Sequence, residues 1–90
     1  MNEPREDCIG KQVLIDTVTR WVYVGTLTGL EEGYVTLKNA DAFDSAETTL
    51  TKHEYLMRVR SDGIVPNRKQ VRILKSQVVA ITLLDDIIAA

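Results

Sequence analysis

The fold of this chain is decided near its end, by the stretch Val71-Arg72-Ile73-Leu74-Lys75-Ser76-Gln77-Val78-Val79-Ala80-Ile81-Thr82-Leu83-Leu84. Aliphatic residues, many of them β-branched, dominate both halves of this stretch, and Lys75-Ser76 interrupt them. Such runs favour β-strands, and a two-residue polar interruption favours a tight turn. The stretch therefore predicts two short strands, Gln70 to Leu74 and Gln77 to Leu84, joined by a basic turn.

A second pair of strands is predicted over residues 22–37. Leu30-Glu31-Glu32-Gly33 reads as a turn, because Gly33 tolerates positive φ. Tyr34 to Leu37 is then the returning strand, and Lys38-Asn39-Ala40-Asp41 is expected to end it with turn-forming residues.

The first strand of this pair contains Gly25 and Gly29, and a further strand is predicted before it, over Gln12 to Val18. A glycine within a strand lets the backbone bend sharply. Such bends allow one short sheet to close on itself. The five predicted strands therefore indicate a mostly β protein built as a small, strongly bent barrel.

Two helical segments are expected outside the strands. Pro4 is expected to open a short helical turn that ends near Gly10. In the insert over residues 41–65, Thr51 and Glu54 have the spacing of a capping box, and Ser61-Asp62-Gly63 is a stop signal. The insert therefore predicts a short helix from Lys52 to about Ser61; a strand from Tyr55 to Val59 is the competing interpretation.

Length and composition predict one domain over residues 1–90, with residues 1–9 as an N-terminal arm. The apolar and charged fractions, 44% and 27%, are those of an ordinary globular protein. A single cysteine, Cys8, excludes an internal disulfide, and no zinc-binding pattern occurs. Without a signal-peptide pattern or an apolar run of about 20 residues, a cytoplasmic protein with no membrane partner is expected.

Charge is distributed unevenly along the chain, although the net charge is only −2. Residues 1–50 hold four basic and nine acidic side chains, a balance of −5, whereas residues 51–75 hold seven and two, a balance of +5. The second region can present a locally positive face. An ordinary solvated surface is the alternative.

The order of strands and these motifs resemble the Sm and Sm-like (LSm) family. Gly25-Thr26-Leu27-Thr28-Gly29 with Glu31-Glu32 is similar to the first half of the family signature, and Ile73 to Ile81 is similar to the second half. The resemblance covers about residues 9–40 and 68–85. The family's Asn after the acidic turn is replaced by Thr36, and its Arg-Gly turn by Leu74-Lys75.

The resemblance implies a five-stranded, SH3-like barrel whose subunits join edge to edge, the fourth strand against the fifth, in a hexameric or heptameric ring. It also implies a protein of the bacterial Sm-like type that binds single-stranded RNA through turns facing the pore, with Lys75 as the basic turn residue. Pairing of this kind would satisfy strand edges that a small barrel leaves open.

Four residues are the candidate RNA-binding set: Lys75, Ser76, Tyr34 and Thr36. A ring of lysines attracts phosphates, and Tyr34 with Thr36 offers stacking and a hydrogen bond to an unpaired base. Lys75 as a solvating turn residue and Tyr34 as a packing aromatic are the alternatives. A secondary basic patch is predicted, for RNA backbone, an acidic partner or an adjacent subunit; its members are Arg58, Arg60, Arg68 and Lys69.

No catalytic or metal-binding constellation is predicted, and no cofactor. His53 is the single histidine, without a nucleophile at an interpretable spacing. The pairs Glu31-Glu32 and Asp85-Asp86 are neighbours in sequence, and neighbouring side chains on a strand point to opposite faces. A binding protein rather than an enzyme is expected, and a ring used as a structural or protein-interaction module without nucleic acid is the alternative function.

Overall fold

The computed structural model describes residues 6–88 as one antiparallel sheet with one helix. The regular elements are β1 (Gln12–Thr17), β2 (Trp21–Glu31), β3 (Tyr34–Asp44), α1 (Lys52–Asp62), β4 (Arg68–Leu74) and β5 (Val78–Leu83), and 3₁₀ turns cover Glu6–Cys8, Lys75–Gln77 and Leu84–Asp86. The strands lie in the order β4-β3-β2-β1-β5. The mostly β class and the five strands are thus confirmed.

The last two strands lie on opposite edges of the sheet and do not form a hairpin. β4 pairs with β3, and β5 pairs with β1. Only the 3₁₀ turn Lys75–Gln77 separates them, so the expected two-residue turn is in fact three residues long. Four extended residue steps reach at most about 14 Å, whereas the outer strands of a flat five-stranded sheet lie about 19 Å apart. The sheet must therefore curl into a barrel.

A bulge brings β2 and β3 into close contact at Gly25. Val24 pairs with Asp41 and Thr26 with Lys38, so that Gly25 lies opposite two residues of β3. One of these two residues is Asn39, which has a φ of 49°. The prediction that β3 ends at Lys38–Asp41 is wrong, because Asn39 accommodates positive φ inside a continuing strand.

Apolar side chains form two core clusters on the two faces of the curled sheet. The inner cluster consists of Val13, Ile15, Leu27, Val35, Leu37, Ala40 and Ile73. The outer cluster consists of Leu14, Val22, Val24, Tyr55, Leu56, Val59 and Leu84. Because α1 supplies three members of the outer cluster, the helix covers a sheet face that would otherwise expose aliphatic side chains to water.

The helix forms where the capping box predicts it. The Thr51 hydroxyl accepts a hydrogen bond from the Glu54 amide at 3.0 Å, and the Glu54 carboxylate accepts one from the Thr51 amide at 2.8 Å. Gly63, with a φ of 86°, ends the helix by donating its amide to the carbonyl of Val59. The competing strand over Tyr55 to Val59 does not form.

Tyr55 fixes α1 to the sheet at its N-terminal end. Its ring stacks on Phe43 at a centroid distance of 4.0 Å and an angle of 8°. Its hydroxyl donates a hydrogen bond of 2.6 Å to Asp41. Burial, and then this bond to a carboxylate, raise the pKa of Tyr55 well above its ordinary value. An ion pair between Lys52 and Asp16 adds a second attachment.

The N-terminal turn is present in part. A 3₁₀ turn covers Glu6–Cys8 and is followed by Gly10 at a φ of 89°, as expected for a turn that ends near this glycine. Pro4, the residue expected to open the turn, lies outside the described residues. Within residues 6–88, no helix is long and apolar enough to cross a membrane.

We predict that Gly25→Ala destabilises the fold. A Cβ at Gly25 would lie 3.0 Å from both the Cα and the Cβ of Ala40 and 3.1 Å from the carbonyl oxygen of Lys38. Backbone atoms cannot move away cheaply, so we expect a loss of about 1–3 kcal/mol in the free energy of unfolding, measured by urea denaturation. Gly29→Ala is the control, because its Cβ would make ordinary contacts. Equal stability of the two variants would contradict the close contact of Gly25 with Ala40.

We predict an acid-dependent contribution from Glu54. The hydrogen bond from the Thr51 amide, and then that from its side chain, lower the pKa of Glu54 below its ordinary value of 4.5. A carboxylate with a lowered folded-state pKa stabilises the fold above its unfolded pKa, and this stabilisation is lost as the pH falls through the folded pKa. The free energy of unfolding, measured with urea, should therefore exceed that of Glu54→Gln by more at pH 7 than at pH 3. Glu32→Gln controls for general charge effects, and an advantage that grows with acid would contradict the prediction.

Candidate functional site

Two turns that are distant in sequence meet at one end of the barrel. The amide of Lys75 donates a hydrogen bond of 2.9 Å to the carbonyl of Gly33. Next to this bond, Tyr34 at the start of β3 pairs with Leu74 at the end of β4. The turn after β2 and the turn after β4 therefore form one surface, which we call the two-turn surface and define as residues 31–36 and 72–77.

An arginine covers the aromatic ring at the centre of this surface. The guanidinium carbon of Arg72 lies 4.4 Å from the centroid of the Tyr34 ring. The same guanidinium lies 3.6 Å from the Glu31 carboxylate. A cation over an aromatic face is attracted by the ring quadrupole, and the carboxylate holds it in place. Tyr34 and Arg72 thus form a partly exposed stack.

Thr36 lies beside this stack and is far less accessible than the other predicted site residues. Its neighbours Val35 and Leu37 point into the inner cluster, so Thr36 lies on the opposite, outward face of β3. Even there it is only 7% exposed. Its hydroxyl donates to the Glu31 carboxylate at 3.4 Å. Its carbonyl accepts from the Thr28 hydroxyl at 3.4 Å. Thr36 is therefore fixed against β2, with its hydroxyl turned towards an acceptor.

A cleft of about 400 Å³ opens on this outward face of β2, β3 and β4. We call it the polar cleft; its lining residues are Thr28, Gly29, Glu31, Thr36, Lys38, Gln70 and Arg72. Gly29 pairs with Thr36, and Thr36 also pairs with Arg72, so the three strands contribute side by side. The lining combines two cations, one carboxylate and several neutral hydrogen-bonding groups.

The other two residues of the candidate RNA-binding set lie at the turn itself. Lys75 and Ser76 are in the 3₁₀ turn, Ser76 being exposed and Lys75 half-buried. Lys75 is held through its backbone by Gly33. The structure thus brings Lys75, Ser76, Tyr34 and Thr36 to the same end of the barrel, and their role in binding RNA stays a prediction.

The predicted secondary basic patch is distributed over two different parts of the fold. Arg60 on α1 donates a hydrogen bond of 3.0 Å to the carbonyl of Leu84, just after β5. Arg68 and Lys69 are exposed at the beginning of β4, on the opposite edge of the sheet, and Arg58 is exposed on α1. Lys69 is six residues from Lys75, about 20 Å along an extended strand, so this group is separate from the two-turn surface.

The sequence interpretation missed Arg72 as a site residue. Arg72 is one of the basic residues of positions 51–75, and no local sequence pattern places it beside Tyr34. The strand register explains the position of Arg72. When Tyr34 pairs with Leu74, Arg72 lies opposite Thr36, and its side chain reaches the Tyr34 ring diagonally. Such a register between strands separated by an insert is invisible in local sequence patterns.

A second cleft, of about 550 Å³, lies at the other end of β3. Its walls include Trp21 and Phe43, together with an ion pair of 3.0 Å between Arg20 and Asp44. Across residues 6–88, no group of three or more His, Cys, Asp or Glu side chains is arranged to hold a metal ion.

Comparison with known proteins identifies the fold. No family model and no curated protein matches the chain. Among solved structures, it is similar to the Sm protein of Pyrococcus abyssii in complex with a uridine heptamer, with 20% identity, 86% of this chain and 87% of the other covered, and a TM-score of 0.58. The Sm-like protein AF-Sm2 of Archaeoglobus fulgidus has 16% identity, 87% and 85% coverage and a TM-score of 0.57.

A chain from the NatC complex bound to CoA is similar as well, with 13% identity, 92% of this chain and 88% of the other covered, and a TM-score of 0.57. At these identities the likeness is one of fold. The chain has an Sm-like fold, which confirms the architecture that the sequence motifs imply.

We predict that Arg72→Ala causes only a small loss of stability. The Arg72 guanidinium is about half exposed and contacts one ring and one carboxylate. Exposed contacts of these kinds contribute about 0.5–1 kcal/mol, so urea denaturation should show a loss within this range. Arg68→Ala, at the other end of β4, is the matched control. A loss above about 2 kcal/mol would assign Arg72 a structural role rather than a role at the surface.

Proposed function

We propose that this protein, on its Sm-like fold, is a binding protein that assembles as a ring and holds single-stranded RNA at the two-turn surface. Lys75 and Ser76 would contact the phosphate backbone. Tyr34, with Arg72 over its ring, would supply a platform for a base, and Thr36 a hydrogen-bonding group beside it. The proposal deepens the expectation from the sequence by adding Arg72 to the candidate set.

The observation that carries the proposal is the junction of the two turns. It places a cation, an aromatic–arginine stack and a polar cleft within one small surface. Proteins bind single-stranded RNA by attraction to phosphate, by stacking on bases and, for sequence preference, by hydrogen bonds to base edges. The Pyrococcus abyssii Sm protein, which has a similar fold, was captured with a uridine heptamer.

Assembly as a ring is supported by the edges of the sheet. Among residues 6–88, β4 pairs with β3 alone and β5 with β1 alone, so one side of each strand is available for pairing. Leu74 on β4 and Val79 on β5 are 49% and 64% exposed. Pairing of β4 in one copy with β5 in the next would bury these residues and satisfy both edges. A head-to-tail contact of this kind forms a filament unless the repeated subunits close into a ring, such as a hexamer or heptamer.

The basic residues Arg58, Arg68 and Lys69 would act away from the two-turn surface. Their exposure suits a contact with an acidic partner or with the acidic first half of a neighbouring subunit. Arg60 is less suited to this role, because its guanidinium is engaged with the Leu84 carbonyl.

A second candidate function is a ring that serves as a structural or protein-interaction module without nucleic acid. The net charge of −2 favours it, since a protein of net negative charge repels phosphate. The similarity to a chain of the NatC complex, a protein assembly bound to CoA, also favours this alternative.

We predict that Lys75→Ala weakens RNA binding. Fluorescence anisotropy with labelled uridine-rich and adenine-rich RNA at low salt should show binding, and the variant should lose about one phosphate contact. Its affinity should depend less steeply on salt, with the slope of log K against log salt reduced by about 0.7. Lys69→Ala removes the same charge from the other end of β4 and is the matched control.

Three results would decide between the two functions. Absence of binding to either RNA at low salt would contradict the RNA-binding function. Equal losses for Lys75→Ala and Lys69→Ala would contradict the placement of RNA at the two-turn surface. Native mass measurement, with absorbance recorded at the nucleic-acid maximum, would test the ring, and a folded monomer at low concentration would contradict ring assembly.

A further inference from the structure

We infer that the polar cleft selects nucleobases that carry an exocyclic amino group, with cytosine favoured over uracil. This inference rests on the proposed function and specifies the class of RNA that the site prefers. It follows from the hydrogen-bonding groups that surround Gly29, Glu31 and Thr36, and not from the total charge of the surface.

Gly29 leaves space in the cleft, because this residue has no side chain to fill it. A Cβ at Gly29 would lie 3.6 Å from the Thr36 Cβ, 3.7 Å from the Thr36 hydroxyl and 4.0 Å from the Glu31 carboxylate. These distances are ordinary van der Waals contacts. The space above Gly29 is therefore bordered on one side by the polar atoms of Thr36 and Glu31, where the edge of a base can reach them.

These polar atoms form a wall of hydrogen-bond acceptors. A carboxylate accepts hydrogen bonds and donates none, and each of its oxygens has room for more than one donor. One Glu31 oxygen receives the Thr36 hydroxyl at 3.4 Å, and the other faces Arg72 at 3.6 Å. Since the Thr36 hydroxyl directs its hydrogen towards Glu31, its lone pairs are left to accept from a ligand. A base that contacts this wall must bring a donor.

Cytosine and uracil differ at the position that would meet this wall. Cytosine carries an amino group at C4, which donates, whereas uracil carries a carbonyl oxygen there, which accepts. The amino group can donate directly to Glu31. The only donor on this edge of uracil, N3–H, lies between two carbonyl oxygens, so presenting it to Glu31 also brings carbonyl lone pairs towards the carboxylate. Specificity arises in this way when one ligand brings a donor to an acceptor and its competitor brings further acceptors towards it.

The remaining cleft residues bind both pyrimidines and therefore do not discriminate between them. Lys38, Gln70 and Arg72 supply donors, and both bases carry a carbonyl oxygen at C2 that can accept from them. The stack of Arg72 on Tyr34 offers a platform to any base, because every base has a π-face. Arg72 also offsets the charge of Glu31, so that the carboxylate does not exclude RNA from the cleft. Discrimination is thus left to Glu31 and Thr36.

The test compares labelled cytidine and uridine heptamers by fluorescence anisotropy with the intact assembly at pH 7.5. The wild-type protein should bind the cytidine heptamer about tenfold more tightly, within the range of a specific base contact. Glu31→Gln replaces an acceptor-only group by an amide that also donates, so the ratio of the two dissociation constants should fall to about one. Glu32→Gln makes the same change of charge at the adjacent residue and should keep the wild-type ratio.

Gly29→Ala provides a second, independent variant. Its methyl group would meet Thr36 at ordinary contact distances, so the fold should be retained, and it would hold a base away from the carboxylate. The ratio should again fall towards one. Thermal denaturation followed by circular dichroism would confirm that each variant is folded before its affinities are compared.

The possible outcomes separate this inference from the proposed function. Binding of both heptamers with uridine equal or preferred would overturn the inference and leave RNA binding intact. A preference for cytidine that Glu31→Gln and Gly29→Ala both leave unchanged would overturn the assignment to the polar cleft. No binding of either heptamer at low salt would overturn the proposed function, and the inference would fall with it.

Discussion

The structure depends on one constraint of chain length. β4 and β5 lie on opposite edges of a five-stranded sheet, yet the 3₁₀ turn Lys75–Gln77 alone connects them. A flat sheet cannot satisfy this connection, so the sheet must curl until its two edges approach one another. The same turn is bonded to Gly33 at the tip of the β2–β3 connection. The linkage that closes the barrel is therefore also the one that assembles the two-turn surface.

Curling creates a second requirement, which α1 meets. A strongly bent sheet turns one face inwards, but its other face still carries aliphatic residues, among them Leu14, Val22 and Val24. The helix covers them with its own apolar side chains and is attached through Tyr55. The polar cleft lies on the part of the sheet formed by β2, β3 and β4 that the helix leaves open. The insert and the candidate site thus divide the outward surface between them.

Features that depend on neighbouring residues could be predicted from the sequence, and features that depend on distant pairing could not. The helix followed from Thr51 and Glu54, which act within one turn of each other. The continuation of β3 past Asn39 could not be predicted, because a turn-forming residue at positive φ is also suited to a bulge when Gly25 lies opposite. The contact of Arg72 with Tyr34 depends on the register between β3 and β4. It could not be predicted either, because the paired residues are distant in sequence.

The pairing of β1 with β5 has a consequence for synthesis of the chain. Val13 lies opposite Leu83, its partner 70 positions later in the sequence. Contacts of such long range form slowly, since a large loop must close before they stabilise anything. During translation, β1 would leave the ribosome long before β5 exists, and one side of β1 would stay unpaired until then. Nascent chains are therefore exposed to aberrant strand pairing while the residues between β1 and β5 are synthesised, which makes chaperone contact with the first strand advantageous.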